Sequence, residues 1–140
     1  PMVNAILLLT VYFAGVKWAI LIGVLTPVLA FFAGVLAAPM APFIPFIAAG
    51  NLLYSSVFAL LKDRKTGEFI GFMLASLLKF AFLFVSATQL IDLFAIGIPE
   101  PVKAKLAVTM GVPQLLTALA GGFIAVALYK MLKARLHTAL

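Results

Sequence analysis

The stretch 69–91 reads FIGFMLASLLKFAFLFVSATQLI, twenty-three residues in which Lys79 is the only charged side chain. Wound as an α-helix at about 1.5 Å per residue it is about 34 Å long, slightly more than the ~30 Å hydrocarbon core of a bilayer. It is apolar on every face, so it reads as a membrane span with Lys79 close to the midplane. An ammonium at that depth costs roughly 2.5–3.5 kcal/mol on insertion scales. Something else in the chain must offset that cost.

The flanks of this stretch are polar. KDRKTGE (62–68) precedes it, and DLFAIGIPEPVKAK (92–105) follows it. Beyond these loops the composition is that of the stretch itself. The chain has 140 residues, 66% hydrophobic and 10% charged, against about 25% charged in soluble domains. Such a chain cannot cover a water-facing surface. Transmembrane barrels alternate apolar and polar residues, whereas these runs are apolar throughout, so the expected fold is an all-α, polytopic membrane bundle forming one domain over 1–140. Five spans are expected, at about 2–16, 18–38, 43–61, 69–91 and 106–129. Thr26-Pro27 predicts a kink in the second, and Pro39, Pro42 and Pro45 predict a non-helical connection after it. There is no cysteine, which excludes disulfides and thiolate metal sites.

The distribution of cations gives an orientation. Lys17, Lys62, Arg64, Lys65, Lys130, Lys133 and Arg135 fall on one side, and only Lys103 and Lys105 on the other. The 62–65 loop and the C-terminus are therefore expected in the cytoplasm. The net charge of +6 marks that rim rather than a nucleic-acid partner. Pro1 then lies outside, from which a six-helix parent with a further helix upstream is expected.

Intramembrane ionisable groups are functional candidates by default, and no acid lies within a span to pair with Lys79. Either the side chain snorkels or is held neutral, or its counter-charge arrives with a ligand or partner. At 100° per residue Ser86 shares the side of Lys79, with Ser76 and Gln89 on its flanks. Gln114 and Thr117 follow Pro113 on the fifth span, Asn51 lies in the outer half of the third, and Asn4 near the outer end of the first. The candidate substrate-binding residues are thus Lys79, Asn51, Gln89, Gln114, Ser86, Thr117 and Asn4, around a pocket opening outward. Ala30/Gly34/Ala38, Ala33/Ala37/Ala41 and Thr117/Gly121/Ala125 repeat small residues at intervals of four, which permits close helix packing. No HExxH, GxSxG or P-loop pattern occurs, His137 lies in the tail, and no catalytic residue, cofactor or metal site is expected.

PMVNAILLL (1–9), IGVLTPVLAFFAGVL (22–36), PFIPFIAAGNLLYSSVF (42–58), ASLLKFAFLFVS (75–86) and VPQLLTALAGGFIAVAL (112–128) together resemble the substrate-binding (S) components of energy-coupling factor transporters. The resemblance implies a six-helix protein of the plasma membrane that captures a vitamin or related micronutrient from outside. It also implies partners, a transmembrane coupling subunit and two ATPase subunits, to which substrate passes as the S component topples. The five spans would match that family's second to sixth helices, its first often carrying an alanine-rich docking motif, and the 92–105 loop would be a lid. With Lys79 unpaired, the expected substrate is a small carboxylate-bearing nutrient. The competing reading is a structural or assembly subunit whose polar residues are interhelical glue and which has no ligand of its own.

Overall fold

A computed structural model describes residues 1–138. Among them the chain is all-helical, without a strand. Helix α1 spans Met2–Phe13 and α2 spans Val16–Phe32, with a 3-10 segment, Ala38–Phe43, leading into α3, Ile44–Leu61. Helix α4, Gly67–Val85, continues through a π-helical turn, Ser86–Leu90, and a last turn, Ile91–Leu93. Helix α5 spans Glu100–Thr109 and α6 spans Val112–Thr138.

Three stretches are long and apolar enough to cross a membrane: Ala38–Leu61, Gly67–Leu93 and Glu100–Thr138. The first two helices are shorter than the apolar runs that contain them. Gly15 has φ +96, a conformation that ends α1 after 12 residues and lets α2 restart at once. Gly34, at φ +73, likewise lies beyond the end of α2 at Phe32. The rows Ala30/Gly34/Ala38 and Ala33/Ala37/Ala41 are therefore not helical stripes: the chain leaves the helix within them. The repeat Thr117/Gly121/Ala125 does lie on one helix. A Cβ on Gly121 would stand 2.6 Å from both Asn4 Cβ and the Pro1 carbonyl oxygen, so this row is where α6 accepts the start of α1.

The packing closes a ring: α1 on α2, α2 on α3, α3 on α4, α4 on α6, and α6 back on α1. Two apolar clusters fill it. One joins Leu7, Leu8, Tyr54, Phe58, Phe72 and Val126; the other joins Phe43, Leu83, Ile91, Ile98, Leu106 and Met110 beneath the 92–105 loop. The exterior is apolar as well, with Leu29, Phe32, Leu60, Met73, Val108 and Phe123 all exposed. An apolar exterior this extensive far exceeds the patch of a few hundred Å² usual on a soluble monomer.

One end of the ring carries most of the charge. The α1–α2 junction, the loop from 62 to 66 and the end of α6 meet there. Tyr12 donates to Glu68 Oε1 at 3.1 Å, Lys130 lies 3.0 Å from Glu68 Oε2, and the rings of Tyr12 and Tyr129 stack at 3.8 Å. This end holds seven Lys and Arg residues and two acids, Asp63 and Glu68, leaving it +5; the opposite end has two of each and is neutral. Lys79 supplies the sixth positive charge. At the neutral end Lys103 binds Asp92 at 2.6 Å and Glu100 at 2.8 Å, tying the end of the α4 rod to the first turn of α5. Hydrogen bonds to Asp92 and then Glu100 raise the Lys103 pKa above the ordinary lysine value.

Candidate functional site

Lys79 is 3% exposed and its ammonium has two neutral partners. Nζ donates to Asn4 Oδ1 at 2.6 Å and to Asn51 Oδ1 at 2.7 Å. It also lies 5.2 Å from the centroid of the Tyr54 ring, at the outer reach of a cation–π contact. Hydrogen bonds to a charged group are worth about 1.5–3 kcal/mol each. Two of them offset an insertion cost of roughly 2.5–3.5 kcal/mol without an acid. The side chain therefore does not snorkel, and its amino group is held by amides that the sequence places 75 and 28 residues away.

Asn51 has a second task, set by Pro27. Proline has no N–H, so the carbonyl four residues before it, Gly23 O, loses its regular helical donor. Asn51 Nδ2 supplies the replacement at 2.9 Å. An ammonium cannot accept and a carbonyl cannot donate, so the amide has only one satisfactory orientation. Gly23 keeps the approach open, since a Cβ there would stand 3.0 Å from Asn51 Cβ. Tyr54, one turn on, donates to Ala118 O at 2.8 Å. Lys79 thus sits at the centre of a hydrogen-bonded set that reaches α1, α2 and α3, and through its neighbour Tyr54 reaches α6.

Around this set lies a partly open cavity of about 610 Å³. Its walls come from the start of α1, the second half of α2, Val35 and Leu36, the first half of α3, the middle of α4, Met110 and the start of α6. All of these belong to the neutral end of the ring. Asn4, Asn51, Lys79, Gln114 and Thr117 are brought together in its wall, joined by Thr26. Thr26 Oγ1 donates to Ile22 O at 2.6 Å and Thr117 Oγ1 to Gln114 O at 3.0 Å, so both hydroxyl protons are already used. No wall residue is an acid.

Ser86 and Gln89 do not join them. Ser86 is buried and donates to Phe82 O at 2.6 Å, as isolated hydroxyls in helices commonly do. Gln89 is exposed. The π-helical turn Ser86–Leu90 has more residues per turn than an α-helix, which swings Gln89 further from the side of Lys79 than regular spacing implies. The 92–105 loop contributes no wall residue either; only Met110, beyond its end, reaches the cavity.

That Pro27 frees a carbonyl is legible in the sequence; that Asn51, 28 residues from Gly23, re-satisfies it is not. Ser55 and Ser76 are fully buried and their hydroxyls have no hydrogen-bond partner among the described residues. They lie one turn from Asn51 and Lys79 respectively, on the side away from the neutral end. Among the described residues no cluster of three metal-ligating side chains occurs. Comparison of the chain with protein-family models, with curated proteins and with solved structures finds no match.

Proposed function

We propose that the protein is the membrane-embedded capture subunit of a micronutrient importer, of the kind its sequence resembles. On this reading it is a polytopic bundle of the plasma membrane with five spans in this chain. The 62–65 loop and the C-terminus face the cytoplasm, consistent with the excess of cations at that end. The neutral end faces outward, and a small carboxylate-bearing nutrient enters the cavity there and binds Lys79. With no nucleotide-binding pattern in the chain, delivery draws on a transmembrane coupling subunit and its ATPases.

The observation that carries the proposal is the cavity itself, about 610 Å³ with one buried cation in its wall and no acid. Pockets for small molecules occupy about 300–1,000 Å³ and are mostly apolar with a few placed polar groups. The test is a thermal-shift screen of the purified chain against vitamins and related micronutrients, repeated on Lys79→Met. A hit that the variant loses supports capture. A screen without hits overturns it.

One observation favours the second reading, a structural subunit without a ligand. The two hydrogen bonds that Lys79 makes go to the protein's own amides, which is how interhelical glue behaves. A complete absence of ligand response, together with a large loss of stability in Lys79→Met, would establish that reading instead.

A further inference from the structure

Resting on the capture reading, we infer that the ligand of this cavity is a monoanion with an apolar body and no cationic group. Apart from the Gln114 amide on α6, the unused donors belong to one pair of side chains. Lys79 spends two of its three N–H groups on Asn4 and Asn51. Asn51 Nδ2 is held by Gly23 O, whereas Asn4 Nδ2 donates to no described residue. One ammonium N–H and the Asn4 amide N–H₂ thus remain, on two side chains joined by the 2.6 Å bond. A two-oxygen anion takes one of each, in bonds strengthened by its charge.

Everything else in the cavity discriminates against other classes. A zwitterion would bring an ammonium to walls that contain no acid, and a dianion would bring a second carboxylate to walls with no second cationic side chain. A buried charge without a partner costs several kcal/mol, and sites of this kind select by what they leave unpaired. A polyol finds little more, because the hydroxyl protons of Thr26 and Thr117 are committed to their own helices and, beyond Lys79, Asn4 and Asn51, the Gln114 amide is the one other polar side chain of the wall. Val3, Val35, Leu36, Ile47, Leu83 and Met110 offer the remaining wall to hydrocarbon.

Four probes of equal chain length separate these classes: octanoate, 8-aminooctanoate, suberate and octanamide. Each is titrated calorimetrically into the full chain in lipid nanodiscs, with empty discs as the blank. Octanoate is expected to bind saturably, with each of the others at least tenfold weaker. Asn4→Asp keeps the side-chain size and gives Lys79 a resident carboxylate. It is expected to lose octanoate binding at least tenfold while melting no lower than the parent. That outcome separates lost binding from lost folding, which Lys79→Met alone does not. Binding of 8-aminooctanoate or suberate as tight as octanoate, lost in Asn4→Asp, overturns the monoanion class and leaves capture standing. Absence of saturable binding by all four overturns the class as well, and capture then rests on the micronutrient screen.

Discussion

Replacing Asn51 with leucine tests whether one amide serves both Pro27 and Lys79. The substitution keeps the branched heavy-atom skeleton of the side chain, so its cost is carried mainly by hydrogen bonds. It removes one of the two bonds to a buried ammonium, worth about 1.5–3 kcal/mol. It also strips the replacement donor from Gly23 O. Interhelical bonds of that neutral kind average ~0.6 kcal/mol in membrane proteins and reach ~1.7. The expected loss is therefore about 2–5 kcal/mol. The diagnostic quantity is a coupling. In a Pro27→Ala background residue 27 has an N–H, Gly23 O recovers a helical donor, and the second part of the loss disappears. Asn51→Leu should then cost about 1 kcal/mol less than in the parent, a difference that a double-mutant cycle isolates. Equilibrium unfolding in mixed micelles with increasing SDS provides the four stabilities. Costs that add within about 0.3 kcal/mol would refute the claim that Asn51 replaces the donor Pro27 lacks.

Further outcomes are expected elsewhere. Gly121→Ala drives a methyl group into Asn4 Cβ and the Pro1 carbonyl and should cost about 1–3 kcal/mol, whereas Gly97→Ala, with open space around it, should change the same unfolding midpoint little. Glu68→Gln should lower stability by no more than about 1 kcal/mol, since the residue is partly exposed, and 1 M salt should reduce the difference from the parent. Lys103→Gln should accelerate amide exchange over residues 94–102 at pH 7. Because the Lys103 pKa is raised in the fold, its two ion pairs stabilise the loop fully at neutral pH and are lost only as pH climbs past the ordinary lysine range. Parent protein at pH 6 and pH 8 should therefore show equal protection over those residues once intrinsic exchange rates are corrected.

How far the chain could be read in advance differs from residue to residue. Helical runs and a single buried cation are properties of consecutive residues, so composition and the isolation of Lys79 disclosed them. The partners of that cation are not local. Asn4 and Asn51 were candidates for the pocket because they are polar residues within apolar runs, yet nothing in the spacing of the chain pairs them with one ammonium. Periodicity misleads where the helix departs from regularity. The Ala30/Gly34/Ala38 row looks like a packing stripe only if the helix survives Phe32, and Gln89 shares a side with Lys79 only if no π-helical turn intervenes. In both places the backbone conformation, rather than the side-chain pattern, decides which residues face each other. Pro27 is intermediate: its missing N–H is a fact of sequence, and its remedy is a fact of packing.

The division of labour around the cavity bears on how its shape can change. Lys79 and Asn51 cannot be altered without loosening the seams between helices, because each carries bonds that hold α1, α2 or α3. Gln114 and Thr117 face the same space from α6 but make no side-chain hydrogen bond to another helix; the hydroxyl of Thr117 turns back on its own. Substitutions at Gln114 and Thr117 can thus reshape or repolarise the chamber at little expense to the bundle. Variation in what the chamber accepts is free to accumulate on one wall, while the opposite wall is frozen by the architecture it supports.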